Sequence, residues 1–455
     1  MKRYILMVVC LACALLLTAQ ESIFDGLQSI SLQQAQELAL KQNPAYAAKE
    51  AAANAAKWGK SNAISTVLPT LSLGGTYLYK DPATTVQAGS QQIKLNNDMR
   101  TMSLNLSQPL FLGGKAWQAY KMAVTSEEIA RLNLQNQRYT LLSEVESKYL
   151  AALQTMELYR ISQAEIKSAA ANLELAQLKR DNGILSTADF LKFQSRLASK
   201  EVSGLQAQTA LQLALQDLAN YLGSAELLLP VSLSMEAEQT VLSKLEAMDL
   251  AASSALEQRM LQMVQTRNLN YQILDRSVEL SQRAYSIAKA SFLPTLMLTG
   301  SRQYSENGLD RYKFSASNQI MLNASLPILP GVGYYSAAKK AKEEARKASL
   351  DAISAQDGIK LGVKASLLNW ISGAKQVKSA ELAQGYTEEL YQQMQERFKL
   401  NMLSPTELLD AEVMLWAAKM TSANAYYSYL KVRSALMQSL ALDDVNELYA
   451  MIENR

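Results

Sequence analysis

The sequence contains no histidine, and its only two cysteines, Cys10 and Cys13, lie close to its start. Histidine and cysteine supply most of the bases, nucleophiles and metal ligands that work at neutral pH. Their scarcity excludes serine–histidine triads, cysteine nucleophiles and most zinc sites. No phosphate-binding loop, dinucleotide fingerprint or metal-ligand cluster is recognisable either. We therefore predict a protein that is not an enzyme and that has no cofactor and no metal site.

Proline and glycine are also scarce, with nine and 18 residues among 455, and aromatic residues make up only 7%. Ala, Leu, Gln, Ser, Lys and Glu dominate instead, a mixture that favours long helices over an ordinary mixed globule. The net charge of +3 is close to balanced. It offers no basic stripe of the kind that nucleic-acid binding needs, so we expect no nucleic-acid partner.

The first residues are typical of an export signal. Lys2 and Arg3 precede an apolar run over residues 4–17, and small residues suited to cleavage end at Ala19. The run is short for a membrane-spanning helix, which needs ~20 residues. We predict a signal peptide over residues 1–19. An uncleaved anchor is the alternative, and lipid attachment at Cys13 is disfavoured because the apolar stretch before it is short.

The rest of the chain contains two copies of one unit. Three landmarks recur in the same order: 67–73 with 292–298, 106–111 with 324–329, and 182–191 with 400–409. Three matches in order make chance an unsatisfactory explanation. We place the first repeat at residues 20–230 and the second at 231–455.

Each repeat is predicted to run helix, strand, strand, long helix, turn, helix. The first helix starts after Ser31, an N-cap residue, and breaks at Asn43-Pro44. In the second repeat Asn268 is followed by Leu269 instead of proline. The second helix is therefore expected to be the straighter one.

Two segments of each repeat alternate apolar and polar residues, as Leu71 and Leu73 do with Ser72 and Gly74. A period of two predicts half-buried strands. Strands of ~10–12 residues suit a tilted membrane crossing. The alternative is a pair of ordinary hairpins on a helical core, but the signal peptide and the duplication favour the membrane. The strands are predicted at about 68–80, 100–111, 293–304 and 313–327. Polar loops are expected between the paired strands, over residues 81–99 and 305–310, and the second loop contains a turn at Asn307-Gly308.

Long helices follow the strands and end at tight reversals. Neither contains a proline, and each of ~65 residues would extend about 100 Å. Their apolar residues repeat at steps of three and four, as Val145, Tyr149 and Ala152 do, which predicts a coiled-coil seam. Gly183 and Asn401 can adopt the left-handed conformation that ends a helix. Ser186 and Ser404 are predicted to cap the helices that return.

Four membrane strands cannot close a barrel, because an open edge leaves backbone groups unpaired in lipid. Two copies would supply eight strands, whose interior side chains fill, whereas three would supply 12 and leave a conduit. A trimeric duct is the better inference. The alternative from another class is an exported coiled-coil scaffold without a pore.

On four motifs in both repeats, the mature chain resembles the TolC-type outer-membrane efflux proteins. The resemblance implies a fold that is mainly α with a membrane β-barrel, in which a trimer shares 12 strands and a long periplasmic α-barrel. It implies an outer-membrane channel subunit of a tripartite efflux or type I secretion system, a passive exit duct from the periplasm. The implied partners are a periplasmic adaptor (membrane fusion protein), an inner-membrane pump reached through it, and outer-membrane lipid. The motifs are Leu68-Pro69-Thr70-Leu71, Gln108-Pro109-Leu110-Phe111-Leu112-Gly113-Gly114, and the tips 183–189 and 401–407.

The resemblance also implies roles for single residues. Glu407 and Asp410 match acidic positions that line the periplasmic aperture, and three copies would place six carboxylates there. Because the two are three residues apart, they can face one side of a helix. A helix cap is the competing explanation for Glu407. The adaptor-contacting tips are implied to be Gly183, Ile184, Leu185, Ser186, Asn401, Met402, Leu403 and Ser404.

The closure of the aperture departs from the family pattern. Where the family has a tyrosine and an arginine bonded to an aspartate, this chain has Phe398, Leu403 and Asp189. Phenylalanine cannot donate a hydrogen bond, and leucine carries no charge. We therefore expect these three residues to pack in the aperture region, with a closure that is more apolar or looser.

Overall fold

The computed structural model describes residues 27–233, 236–306, 309–310, 312–329 and 331–453. The predicted signal peptide, with Cys10 and Cys13, lies outside the described residues. The chain divides into two compact units. The helical unit comprises residues 27–48, Gln135–Leu269 and 358–453, and the strand unit comprises Lys49–Leu134 and the described residues of Asn270–Asp357. Each unit draws on both sequence repeats.

The described residues form eight strands and ten helices. The strands are β1 Gln28–Ile30, β2 Thr70–Tyr79, β3 Thr85–Ala88, β4 Gln91–Lys94, β5 Asp98–Leu112, β6 Leu228–Pro230, β7 Thr295–Glu306 and β8 Phe314–Ser325. The helices are α1 Leu32–Gln42, α2 Pro44–Ser65, α3 Lys115–Asp181, α4 Thr187–Leu222, α5 Glu236–Glu246, α6 Leu250–Arg267, α7 Leu269–Ala290, α8 Gly331–Lys399, α9 Pro405–Leu440 and α10 Val445–Glu453.

The strand unit contains a four-stranded sheet in the order β2-β5-β7-β8, antiparallel throughout. One face is mainly apolar: Leu71 is opposite Leu106, and Leu73 is opposite Leu104. The other face carries Ser, Thr, Asn and Gln, as at the Ser72–Asn105 pair. The apolar face is not covered, since Leu71 and Leu73 are 67% and 68% exposed. Such a two-faced sheet suits a boundary between lipid and water.

The edges of this sheet, β2 and β8, each pair with one strand of the described chain. The helices of the strand unit follow the same order, α2-α3-α7-α8, so that α2 and α8 are its outer helices. Ion pairs and a side-chain hydrogen bond join the neighbours: Lys60–Glu127 at 2.5 Å, Arg276–Glu128 at 3.1 Å and Gln356–Asp275 at 2.8 Å.

The connection from β2 to β5 contains a feature that the sequence did not predict. A small hairpin, β3–β4, occupies part of what was expected to be a polar loop. The Asn307-Gly308 turn expected between β7 and β8 lies outside the described residues.

Around Tyr149 and Trp370 the helical unit packs its long helices in the order α4-α3-α9-α8, whereas near the ends of the long helices α4 also contacts α8 through Phe193 and Phe398. Lys148 of α3 pairs with Asp217 of α4 at 2.7 Å, and Lys419 of α9 pairs with Glu388 of α8 at 3.1 Å. The predicted seam is confirmed, because Val145, Tyr149, Ala152, Val363, Leu367, Trp370 and Ala374 are all buried. Trp370 stacks on Tyr429 with ring centroids 6.2 Å apart.

The expectation of a straighter second helix is wrong. The chain breaks at Asn268 between α6 and α7 as it does at Asn43 between α1 and α2, with almost the same backbone angles. Both asparagine side chains donate to a backbone carbonyl of another helix, that of Tyr221 or Ser439. The tertiary contact of the asparagine, and not the following proline, accompanies the break in both repeats.

The segment that joins the repeats folds against the helical unit. Strands β1 and β6 form a parallel pair, and the Tyr149 hydroxyl donates to the carbonyls of Ile30 and Val231, at 3.0 and 2.6 Å. Arg433 of α9 binds Glu146 of α3 at 2.7 Å and also binds Glu238 of α5. Buried polar groups therefore tie this segment to both repeats.

Candidate functional site

The first candidate tip lies between α3 and α4. Gly183 has φ +73°, and the N–H groups of Ile184 and Leu185 donate to the Lys179 carbonyl at 2.8 and 3.2 Å. Ser186 caps α4 by accepting from the Asp189 N–H at 3.1 Å. The predicted helix stop and cap are thus confirmed, and both come from local chemistry.

Asp189 is engaged within this tip. Its carboxylate accepts from the Ser186 hydroxyl at 2.8 Å and lies 3.0 Å from the Lys192 ammonium. Hydrogen bonds from Lys192 and then from Ser186 lower the pKa of Asp189. The aspartate is therefore negatively charged at neutral pH.

The second candidate tip lies between α8 and α9. Asn401 has φ +63°, and the Met402 N–H donates to the Arg397 carbonyl at 2.9 Å. Ser404 and Glu407 form a complete capping box, with Pro405 at the first position of α9. This confirms the cap predicted from the sequence.

The predicted aperture residues Glu407 and Asp410 are both exposed on the first turns of α9. The Glu407 carboxylate folds back and accepts from the Ser404 hydroxyl at 2.7 Å and from the Ser404 N–H at 3.0 Å. These two hydrogen bonds, the hydroxyl first, lower the pKa of Glu407. The capping role of Glu407 is thus established, and an additional role at an aperture is compatible with its exposure.

Two lysines of the first hairpin hold the second tip. The Lys179 side chain, largely buried, donates to the Lys399 carbonyl at 3.2 Å and to the Asn401 side chain. It thereby caps the carboxyl end of α8, where a cation is favoured. Burial lowers the pKa of Lys179. Lys192 donates to the Thr406 hydroxyl at 3.2 Å.

The sequence did not predict these hydrogen bonds between the first hairpin and the second tip, because it led us to expect little polar contact between them. The residues next to either lysine in the sequence do not indicate these contacts, because the partners of both lysines belong to the other repeat.

Phe398 lies in the core of the chain and not on its surface. It is 2% exposed and packs on Phe193 with ring centroids 5.7 Å apart. Leu403 packs, partly buried, against the same cluster. Phe398 therefore packs between the two helical hairpins of one chain. Because its side chain is buried there, it is not available to close the aperture.

A buried polar network lies further along these helices. Glu412 of α9 is fully buried, and one of its oxygens accepts from the Asn172 amide at 3.4 Å. Asn172 also donates to the Tyr391 hydroxyl at 2.9 Å. Glu165, also buried, lies 2.5 Å from Lys200 and 3.6 Å from Arg196. Burial is the main cause that raises the pKa of Glu412, and the negative charge of Glu165 adds to it.

Replacing Glu412 with glutamine is expected to stabilise the protein at neutral pH, because it removes a charge whose burial is unfavourable. The expected gain is ~1.4 kcal/mol for each pH unit that separates the folded pKa of Glu412 from its unfolded pKa. Because the pKa is raised in the folded state, the unfolded chain loses this proton first as the pH rises above about 4.5. Folding stability therefore falls with rising pH until the folded carboxyl has also ionised. Urea unfolding across this pH range should show a smaller fall for Glu412→Gln than for the wild type.

The exposed Glu389 supplies the matched control for this measurement. Glu389→Gln removes a carboxylate from the same set of helices without changing a buried group. If the stability of both variants fell with rising pH as steeply as that of the wild type, the fall could not be assigned to Glu412.

Comparison with known proteins assigns the chain. The family model described as "Outer membrane efflux protein" matches residues 35–224 and 251–442. The chain belongs to the outer membrane efflux protein family. The family is one of channel proteins, not enzymes.

Individual relatives of this efflux protein agree with the family assignment. The outer membrane protein TolC of Salmonella enteritidis is 23% identical over 400 residues, covering 86% of this chain and 78% of that protein. TolC of Escherichia coli K12 is 23% identical over 392 residues, covering 83% and 76%. The efflux protein is thus an outer-membrane protein with a periplasmic extension.

Solved structures share the fold. The outer membrane protein VceC of Vibrio cholerae superposes with a TM-score of 0.74 at 16% identity, covering 90% of this chain and 95% of that one. CusC superposes with a TM-score of 0.77 at 15% identity, covering 91% and 92%. The fold is therefore that of the outer-membrane efflux channels. Among the described helices, none is both long and apolar enough to cross a membrane.

Proposed function

We propose that three copies of this efflux-channel protein form one passive duct from the periplasm to the outside. Each copy contributes four strands to a 12-stranded membrane barrel and four long helix segments to a periplasmic α-barrel. The observation that carries the proposal is that β2 and β8 are the two edges of the four-stranded sheet, each pairing with one strand of the described chain. In a ring of copies, each copy would pair one edge of its sheet with the neighbour on one side and the other edge with the neighbour on the other side, because its two edges are different.

The direction of the strands fits closure of the sheet. Every neighbouring pair in β2-β5-β7-β8 is antiparallel, so β2 and β8 run in opposite directions. When β8 of one copy meets β2 of the next, the new pair is also antiparallel. The alternation continues around the ring and leaves no edge in lipid.

The outer helices of the helical unit carry matching apolar stripes. On α4 the stripe includes Val202 and Leu205, which are 56% and 58% exposed. On α8 it includes Leu361 and Leu368, seven residues apart, as in a coiled-coil seam. Residues with large exposed apolar side chains are unfavourable in a single copy. Packing α8 of one copy against α4 of the next would bury both stripes.

The two tips suit docking on a periplasmic adaptor, through which an inner-membrane pump drives tripartite efflux or type I secretion. Ile184 at the first tip and Met402 at the second are 55% and 72% exposed. Exposed apolar side chains at the end of a helical hairpin favour contact with another protein. Glu407 and Asp410 are proposed to line the aperture, with Asp189 and Leu403 beside it.

A disrupted helix stripe tests the trimer. Val202→Glu with Leu205→Glu should leave the fold of one copy intact, because both residues are exposed, and should abolish assembly. The matched control is Ala210→Glu, an exposed residue of α4 roughly 100° around the helix from the stripe. The mass of the detergent-solubilised complex should equal three mature chains for the wild type and the control, and one for the double variant.

Two outcomes would contradict the proposal. A wild-type complex of two chains would exclude the 12-stranded barrel. A wild-type protein that stays in solution without detergent would favour the exported coiled-coil scaffold instead.

A further inference from the structure

The passages between helix and strand in the strand unit carry charge of one sign. We call these four passages, residues 57–69, 109–124, 283–298 and 326–342, the collar. The collar contains nine basic residues and no acidic residue. The basic residues are Lys57, Lys60, Lys115, Lys121, Arg283, Lys289, Lys339, Lys340 and Lys342.

The opposite ends of the same strands are balanced in charge. The connections 80–98 and 306–313 contain four basic and four acidic residues. Asp98 and Glu306 there bind Arg100, at 3.1 and 3.2 Å. The excess of positive charge is therefore a property of the collar and not of the whole strand unit.

Most of the collar cations have no carboxylate partner among the described residues. Lys60, Lys340 and Arg283 pair with acidic residues outside the collar, at 2.5, 3.6 and 2.5 Å. Three of the other six lie over aromatic rings one helical turn away. The distances from the ammonium nitrogen to the ring centroid are 5.0 Å for Lys121–Trp117, 4.6 Å for Lys289–Tyr285 and 5.4 Å for Lys339–Tyr335. An aromatic ring orients an ammonium group but leaves its charge uncompensated.

Large apolar side chains are exposed in the same collar. Trp58 and Trp117 are 74% and 60% exposed, and Ile328 and Leu329 are 85% and 94% exposed. Tryptophan and tyrosine favour the depth at which hydrocarbon meets headgroups. Lysines beside such aromatic residues can extend their ammonium groups into the headgroup layer.

We propose that the collar binds the phosphate groups of anionic phospholipids in the periplasmic leaflet of the outer membrane. This inference rests on the proposed function, because it requires the four strands to lie in that membrane. The apolar face of the sheet then occupies the hydrocarbon, and the collar follows at headgroup depth on the helix side. The central helices α3 and α7 keep their collar lysines accessible when α2 and α8 meet other copies.

The strength of such binding should depend on salt. A basic residue close to an anionic leaflet contributes roughly fivefold in affinity at most, and the effect declines beyond a Debye length of about 10 Å at 0.1 M salt. Several uncompensated lysines should therefore give a clear preference for an anionic lipid over a zwitterionic one.

The tryptophans of the chain provide the readout. Trp58 and Trp117 are exposed in the collar, whereas Trp370 and Trp416 are buried in the helical unit. The full chain is placed in bilayers that mix phosphatidylglycerol with phosphatidylcholine, with bromine on the acyl chains of one lipid at a time. Quenching of tryptophan fluorescence then measures which lipid occupies the collar.

The wild type is expected to show at least about threefold stronger binding of phosphatidylglycerol than of phosphatidylcholine at low salt. The triple variant Lys115→Gln, Lys121→Gln and Lys289→Gln should lose most of this preference. The control variant removes three exposed lysines of the helical unit and should retain it; its changes are Lys167→Gln, Lys375→Gln and Lys378→Gln. The mass of each complex verifies assembly before the comparison.

The outcomes separate this inference from the proposed function. Equal quenching by both lipids in the wild type would overturn the collar inference while the barrel stands. An absence of quenching by either lipid would show that the strands are not in the bilayer. The collar inference and the proposed function would then both fail. Loss of the preference on adding inorganic phosphate, but not chloride at equal ionic strength, would assign the lysines to a free anion and overturn the lipid proposal.

Discussion

Replacing Arg433 with methionine is expected to destabilise the protein by about 3–5 kcal/mol, because it leaves two buried carboxylates without their cation. The Arg433 guanidinium donates to Glu146 at 2.7 Å and to the Tyr449 hydroxyl at 2.9 Å, and it also binds Glu238. The side chains of Arg433, Glu146 and Glu238 are 8%, 11% and 6% exposed. Urea unfolding followed by circular dichroism in detergent should show the loss.

The surroundings of Arg433 explain why its loss should be large. Tyr449 and Tyr429 both donate to Glu238, so the network joins α3, α5, α9 and α10. Burial raises the pKa of Tyr449 to about 12, so its hydroxyl stays protonated and continues to donate at neutral pH. Removing the guanidinium leaves the tyrosines as the remaining partners of Glu238.

Two further variants make this prediction specific. Arg160→Met removes an arginine that is 79% exposed and paired with Glu157, and exposed pairs contribute only about 0–1 kcal/mol. Combining Arg433→Met with Glu146→Gln and Glu238→Gln removes the buried charges together and should recover much of the lost stability. An effect of Arg433→Met no larger than that of Arg160→Met would contradict the account.

Neutralising Glu407 and Asp410 together is expected to remove most of the preference of the channel for cations. In the proposed trimer these residues place six carboxylates around the aperture, and such rings select cations by electrostatic attraction. Glu407→Gln keeps the capping box, because glutamine can also accept from the Ser404 N–H. The reversal potential under a potassium chloride gradient in planar bilayers should move toward the value of a non-selective pore.

The first tip supplies the control for this experiment. Asp181 is the last residue of α3, next to that tip; it is 54% exposed and is not proposed to line the aperture. Asp181→Asn should therefore leave the reversal potential close to that of the wild type. A double variant that keeps full cation preference, or a control that loses it equally, would remove Glu407 and Asp410 from the aperture.

Local chemistry made the ends of the helices predictable. Ser31 and Ser404 cap their helices as expected, and Gly183 and Asn401 take the left-handed conformation that ends the long helices. Each of these signals needs partners no more than six residues away. The same reasoning failed at Asn268, where proline was taken as the cause of the break and the decisive contact is with Ser439.

The sequence motifs also predicted the family. Periodicity predicted the two-faced strands and the buried seam around Trp370, since it indicates which side of an element avoids water. It did not reveal that Lys179 holds the second tip, that Arg433 joins four helices, or which elements form the edges of each unit. Lys179 and Asn401 are 222 residues apart, and Arg433 and Glu146 are 287 apart. Such contacts depend on how distant segments pack, because a buried ion pair leaves no periodic trace in either segment.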